Sequence, residues 1–251
     1  MTTLRTLATP LFLLFCWHLL SSGGFFPRYL LPSPAVVWET TVQLWQSGVL
    51  PTNIRASLSR IAVGFSLSCL AAFSIAALVT RFSFLKNLLA APLGLLRMIP
   101  PLAMIPLLIL WLGIGRATQV TIIVLASFFP IFMNTCEGLA RISPEHRELA
   151  RSLRLPTRIF IRCIVIPSAT PSIITGLRLA FGYSWRALIG AELIAASSGL
   201  GYMIIDAQQM LRTDEVLSGI LTIGLIGWSL DALFIRGSAR LLRRRFPELA
   251  V

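Results

Sequence analysis

The sequence predicts an all-α integral membrane protein with six transmembrane helices and a short cytoplasmic helix between spans four and five. Three observations carry the prediction. First, 56% of the 251 residues are hydrophobic and only 13% are charged, with a mean hydropathy of +0.81. A soluble domain carries roughly 45–50% apolar and about 25% charged residues. Second, the apolar residues fall into six blocks, most of them near the ~20 residues that cross a bilayer as a helix. Third, the basic residues collect at alternate junctions between those blocks.

The formal net charge is +12, from 22 Lys and Arg against 10 Asp and Glu. Such a balance suits a nucleic-acid or anionic-lipid partner. No soluble nucleic-acid fold is visible, so no nucleic acid is expected, and the charge is read as topogenic charge beside a lipid bilayer. The cysteines Cys16, Cys69, Cys136 and Cys163 form no CxxC pair, and His18 and His146 lie far apart. Neither a disulfide framework nor a metal site is expected from such spacing, and no cofactor.

The first block, about Leu7 to Leu20 behind Arg5, resembles a signal peptide in its basic start and short apolar stretch. The Ser-Ser-Gly-Gly-Phe-Phe that follows is not a clear cleavage site, so the block is read as a retained first helix. Prolines 27, 32, 34 and 51 punctuate residues 21–53. A short amphipathic helix is expected over Ala35–Gln46, with Pro34 suited to its start. The second span runs from Ser57 to Val79, and Gly64 with many Ala and Ser residues predicts close helix packing there. The third, about Leu88 to Leu112, is interrupted by Arg97, Pro100, Pro101 and Pro106. Prolines remove backbone donors, so this span holds either a kink between packed helices or a break lining a cavity. The fourth, fifth and sixth spans are about Thr118–Leu139, Pro171–Ala195 and Leu217–Ile235.

In this arrangement Arg5, the Arg81–Lys86 turn, the Arg141–Arg162 stretch and the tail Arg240, Arg243, Arg244 and Arg245 share one side. The positive-inside bias places that side, and both termini, in the cytoplasm. Five spans would separate the Arg141–Arg162 stretch from the tail. The expected division is residues 1–53 as first helix and external connection, 54–240 as the transmembrane domain, and 241–251 as a basic cytoplasmic tail.

Residues 141–167 read RISPEHRELARSLRLPTRIFIRCIVIP, too charged to span a bilayer. Ser143 suits an N-cap and Pro144 the first helical position. Glu145 and Glu148 sit in the early turns, which favour carboxylates, and Pro156 ends the helix near Leu155. Leu149 and Leu153, four apart, form an apolar ridge with Ala150 beside it, and Arg147, Arg151 and Arg154 line up at spacings of four and three. By physics alone this is either a helix lying on anionic lipid or a docking knob for a soluble subunit.

The same stretch resembles the EAA motif of bacterial ABC importer permeases: Glu-Ala-Ala, three residues, Gly, nine residues, Ile-x-Leu-Pro. Here stand Glu148, Leu149, Ala150, then Arg154 at the Gly position, then Ile164, Val165, Ile166 and Pro167. Leu149, Ile166 and Arg154 depart from the pattern. With no Gly to turn the chain, the turn is expected to move to Leu155–Pro156. LPSP at Leu31–Pro34, IPPLAMIPLLILWLGIG at Ile99–Gly115, FFPIFMNT at Phe128–Thr135 and SSGLGYMI at Ser197–Ile204 resemble the nitrate/sulfonate/taurine branch of these permeases. The likeness covers about Leu31 to Arg245.

The resemblance implies a type I permease subunit in the bacterial inner membrane. It implies a pathway formed with a second permease copy, of which a homodimer is the simplest form. Cytoplasmic ATP-binding subunits would receive the coupling helix at 143–155, and an external substrate-binding protein would deliver a small anion such as an aliphatic sulfonate, taurine or nitrate. Glu148, Leu149, Ala150, Leu153, Arg154 and Pro167 would carry the coupling.

The chain's own chemistry agrees that energy comes from elsewhere. A Walker A loop needs GxxxxGK[ST], and the only lysine, Lys86, follows Leu85. No HExxH or GxSxG occurs, so no enzyme activity is expected. Arg97, Glu137, Arg178, Arg186, Glu192 and Asp231 lie in or near spans, where charges mark a pathway or an internal pair. At about 100° per residue, Arg186 falls roughly 80° to one side of Arg178 and Glu192 roughly 40° to the other, sharing a broad face with Gly182 and Trp185. Arg97, Arg178, Trp185, Arg186 and Glu192 are the pathway candidates. For Arg178 and Arg186 two roles stay open: bidentate donors to an anion, or snorkelling and pairing with Glu192 across the dimer. A stand-alone secondary transporter more naturally shows inverted repeats and intramembrane acids; no repeat is evident, and the acids are few. A permease for a neutral heterocyclic nutrient remains the alternative within the family.

Overall fold

The computed structural model describes residues 2–23, 27, 29–142, 145, 148, 150 and 152–245. Among them are helices and no strand. In chain order these are α1 (Thr2–Ser22), α2 (Pro34–Gln46), α3 (Val49–Arg81), α4 (Ser83–Met98), a 3-10 turn (Pro101–Met104), α5 (Ile105–Leu112) and α6 (Arg116–Ala140). Then come α7 (Thr157–Phe160), a π turn (Ile161–Val165), α8 (Ile166–Ala195), α9 (Leu200–Gln209) and α10 (Thr213–Arg245).

Among the described residues, four helices are long and apolar enough to cross a membrane: α3, α6, the continuous Thr157–Ala195 and Thr213–Arg240. The third expected span is not straight. Ser83–Met98 and Pro101–Leu112 meet at 88°. Ile99 and Pro100 each precede a proline, which disfavours the helical region for the preceding residue. Both are extended, with ψ of 118° and 127°. Taken as one broken span, the pair brings the number to five. The first helix, α1, runs over 21 residues, and its Leu11–Ser22 part is apolar. Of the six spans expected from hydropathy, four or five are thus matched among the described residues.

Local sequence explains the helix starts. Ser33 Oγ accepts from the Val36 N–H at 3.5 Å and Pro34 opens α2, the N-cap and first-position pairing that satisfies an otherwise orphaned donor. α9 was not anticipated as a helix, although the motif at Ser197–Ile204 marks its start.

The helices divide between two compact units. One takes the chain up to Leu58 together with Glu192–Ile226, and the other takes Ser59–Ala191 and the chain from Gly227 on. In the first, Trp17 Nε1 donates to Pro32 O at 3.1 Å, and Thr40 Oγ1 donates to Asp214 Oδ2 at 2.7 Å. Val37, Leu44, Leu50, Leu200, Met203 and Ala207 are buried there.

In the second unit Ala72, Ala76, Val79, Ile131, Phe132 and Ala180 form a buried cluster from α3, α6 and α8. Gly64 explains how close α3 and α6 come. A Cβ on it would lie 2.7 Å from Ile123 Cβ and Cγ2, inside van der Waals contact. Small residues allow this approach where lipid gives no hydrophobic drive between helices. The open faces differ in character. In this unit α10 exposes Trp228, Leu233 and Ile235, whereas α8 exposes Thr175, Arg178, Tyr183 and Arg186 beside Leu179.

Candidate functional site

The segment between α6 and α7 holds the motif resemblance. Glu145, Glu148, Ala150 and Ser152 are helical; Ser143, Pro144, His146, Arg147, Leu149 and Arg151 lie outside the described residues. The N-cap at Ser143 and the ridge position Leu149 are therefore not placed. Glu148 is exposed, Ala150 is buried, and Leu153 is 61% exposed.

The turn corrects the sequence reading. It has not moved to Leu155–Pro156. Arg154 itself takes φ of +48°, and the Leu155 N–H donates to Ala150 O at 2.9 Å. That six-to-one bond closing over a left-handed residue is the Schellman arrangement. Arg154 occupies the glycine's conformation without being glycine, at a left-handed cost of roughly 1–2 kcal/mol. Leu211 repeats the device after α9, with φ of +57° and the Arg212 N–H bonded to Ala207 O at 2.9 Å.

Beyond the turn, Pro156 O accepts from the N–H groups of Ile159 at 2.9 Å and Phe160 at 3.1 Å, starting α7. The π turn follows, its register set by the Ile166 N–H to Ile161 O bond. The half-buried Pro167 then stands at the second position of α8. The motif thus spans an exposed helix, a left-handed turn and a π turn, and runs into a membrane helix.

The pathway candidates gather around two cavities in the second unit. Arg97, at the end of α4, and Arg186 line one of about 600 Å³, with Pro100, Phe129, Asn134 and Tyr183. Arg186 also lines the other, of about 680 Å³, with Arg178, Trp185, Gly227, Asp231 and Ser238. The α8 periodicity puts Arg178, Gly182 and Arg186 on one side, as the sequence argued. Trp185 is buried and packs on α10, where a Cβ on Gly227 would lie 2.8 Å from its Nε1. Arg186 Nε donates to Gly182 O at 3.2 Å, and its guanidinium lies 5.6 Å from the Tyr183 ring centroid, a cation–π distance.

Arg178 is paired, and with Asp231. Its Nε donates to Oδ1 and its Nη2 to Oδ2, each at 3.0 Å, the bidentate fork that suits a guanidinium to a carboxylate. Asp231 was recognisable from sequence as an intramembrane charge. Its partner was not, because the two lie 53 residues apart. Glu137 instead pairs locally with Arg141, four residues on, at 2.6 Å.

Glu192 does not line either cavity. It belongs to the first unit, 1% exposed. Ser57 Oγ lies 2.8 Å from both of its carboxylate oxygens. Its Oε2 accepts from the Gly201 N–H at 3.0 Å, while Ser57 Oγ accepts from the Leu200 N–H at 3.0 Å and Asn53 Oδ1 from the Gly199 N–H at 2.7 Å. Glu192 thus caps α9, where the positive helix end favours a carboxylate. Asn53 and Ser57 escaped sequence reasoning because their partners are far away in the chain. Among the described residues no group of His, Cys, Asp and Glu is placed to hold a metal ion.

Comparison with known proteins places these elements. The family described as "Binding-protein-dependent transport system inner membrane component" matches residues 64–246. The chain is 33% identical over 243 residues to the "Putative aliphatic sulfonates transport permease protein SsuC" of Bacillus subtilis (strain 168), covering 96% of this chain and 86% of that protein. It is 31% identical over 247 residues to the "Taurine transport system permease protein TauC" of Escherichia coli (strain K12), covering 96% and 88%. It is 32% identical over 228 residues to the "Nitrate import permease protein NrtB" of Synechocystis sp. (strain ATCC 27184 / PCC 6803 / Kazusa), covering 87% and 82%. With its apolar helices and family match, the chain belongs to the binding-protein-dependent transport system inner membrane components, as a non-catalytic, multi-pass permease subunit of an ABC importer in the nitrate/sulfonate/taurine branch.

Proposed function

We propose that this permease forms, with a second copy of itself, the pathway for a small anion such as an aliphatic sulfonate, taurine or nitrate. In this reading Arg97, Arg178, Trp185 and Arg186 border the pathway. The observation that carries it is the charge of the two cavity walls: Arg97, Arg178 and Arg186 stand there against the single carboxylate of Asp231. Fixed guanidiniums in a low-dielectric wall favour an anion and disfavour a cation. The relatives named for sulfonates, taurine and nitrate support the same substrate class.

The 143–155 helix is the coupling element in this proposal, docking on the ATP-binding subunit that an ABC permease requires. Glu148 and Leu153 are its contact residues, Ala150 holds it to the permease, Arg154 makes its turn, and Pro167 begins the span it moves. Leu149, four residues before Leu153 in the sequence, belongs to the same motif. ATP binding draws the two coupling helices together and opens the permease pair outward; hydrolysis resets it. Only a difference in ATP affinity between the two states can drive this exchange. Both termini, and the basic tail after residue 240, lie on the cytoplasmic side by the positive-inside bias.

The test is reconstitution with the ATP-binding subunit and binding protein that co-purify from native membranes, followed by ATP-driven uptake of labelled taurine, ethanesulfonate and nitrate. Uptake of at least one is expected, and Glu148→Lys is expected to abolish it by separating ATP hydrolysis from transport. Normal uptake by Glu148→Lys would remove the coupling role. Transport of none of the three anions would remove the substrate class.

A further inference from the structure

The pair between Arg178 and Asp231 is unusual in where it stands. It joins α8 to α10 within segments apolar enough to span a membrane. A buried structural pair would be closed off by its neighbours. This one is open, with the side chains 52% and 43% exposed, and both line the cavity of about 680 Å³. Open charges are not tolerated against hydrocarbon, so this stripe of α8 faces a polar space.

The next arginine along the stripe is held differently. Arg186, two turns on, is fixed by the Gly182 carbonyl and the Tyr183 ring. No carboxylate pairs with it among the described residues. The same cavity therefore holds one guanidinium open to an anion and one whose fork is filled by a carboxylate. A planar carboxylate across a guanidinium fork presents the same pair of oxygens that a sulfonate or nitrate would present.

We infer that Asp231 is a built-in stand-in for the transported anion, occupying the Arg178 fork when the cavity is empty and giving it up when the anion moves along α8 from Arg186. The exchange keeps Arg178 satisfied throughout, and the released Asp231 carboxylate, already 43% exposed, turns to the open cavity that it lines. It also releases α10 from α8 only while an anion is present. The inference rests on the anion reading above and names Asp231 as a determinant of it.

The experiment uses the reconstituted importer with its ATP-binding subunit and binding protein, and taurine, ethanesulfonate and nitrate as probes. The exchange Arg178→Asp with Asp231→Arg keeps the link between the helices but moves the guanidinium off the α8 stripe. It is expected to co-purify with the ATP-binding subunit and to take up anion at least ten-fold more slowly. Uptake at the wild-type rate would show a purely structural pair and overturn the inference. Asp231→Asn removes the competing charge and is expected to lower the anion concentration for half-maximal uptake at least three-fold. An unchanged or raised value overturns the inference, and this variant decides alone if the exchanged pair does not assemble. Wild-type protein that transports none of the probes removes the anion reading and this inference with it. Anion uptake by the wild type beside an unaffected exchange variant removes the inference only.

Discussion

Ser57 and Glu192, 135 residues apart, join two helices: the serine hydroxyl donates to the carboxylate, 2.8 Å from each of its oxygens. Around that contact the N–H groups of Leu200 and Gly201 find their acceptors. The start of α9 is thereby satisfied by residues from α3 and α8, not by its own sequence.

Removal of Glu192 should be costly. Glu192→Ala leaves the Gly201 N–H and the Ser57 hydroxyl without their acceptor, and each buried unsatisfied group costs about 1–3 kcal/mol. The purified permease is expected to melt several degrees lower, with Glu192→Gln closer to wild type because its amide oxygen still accepts. Thermal unfolding in detergent reads this directly; an unaltered melting temperature for Glu192→Ala would contradict the cap.

Arg154 should prefer to be glycine. Its φ of +48° costs a residue with a Cβ roughly 1 kcal/mol more than glycine. Arg154→Gly is expected to raise the melting temperature slightly and to keep uptake. Arg154→Pro, whose ring fixes φ near −65°, is expected to lose coupled uptake. Comparable uptake by both variants would show that the left-handed turn does not matter to coupling.

At Gly64 the prediction is steric. A Cβ would lie 2.7 Å from two atoms of Ile123, and overpacking of this kind costs typically 1–3 kcal/mol. Gly64→Val is expected to lower stability more than Gly64→Ala. The partial cure is Ile123→Ala in the Gly64→Val background, which returns the missing space. Failure of that double variant to recover any stability would place the damage elsewhere.

Arg186 is the guanidinium offered to the cavity, so Arg186→Ala is expected to slow anion uptake at least ten-fold while the protein still assembles. Arg186→Lys keeps the charge but loses the planar fork and the stack on Tyr183, and is expected to fall between the two. Wild-type uptake by Arg186→Ala, measured in proteoliposomes, would take this residue out of the pathway.

The helical membrane character, the helix Pro34–Gln46, the long helices α3, α6, α8 and α10 and the permease family were legible in the sequence. Hydropathy, caps and proline effects act over neighbouring residues, so a linear reading captures them. Even there the limit showed at Ile99–Pro100. The prolines announced an interruption, and two consecutive extended residues, Ile99 and Pro100, made it an 88° bend rather than a kink. The turn at Arg154 was misplaced for a related reason. Propensity argues against a left-handed arginine, and the bond from Leu155 to Ala150 outweighs it.

The sequence by itself determined that this chain lives in a membrane as a transport permease and which short segments carry its charges. Only the tertiary structure decided how those charges are used. It sends Glu192 into a helix cap, joins Arg178 to Asp231 across 53 residues, and leaves Arg186 open on a cavity wall. The reason is physical. A charge in an apolar setting must find a partner, and the partner is chosen by which helices pack together, which one-dimensional periodicity does not encode.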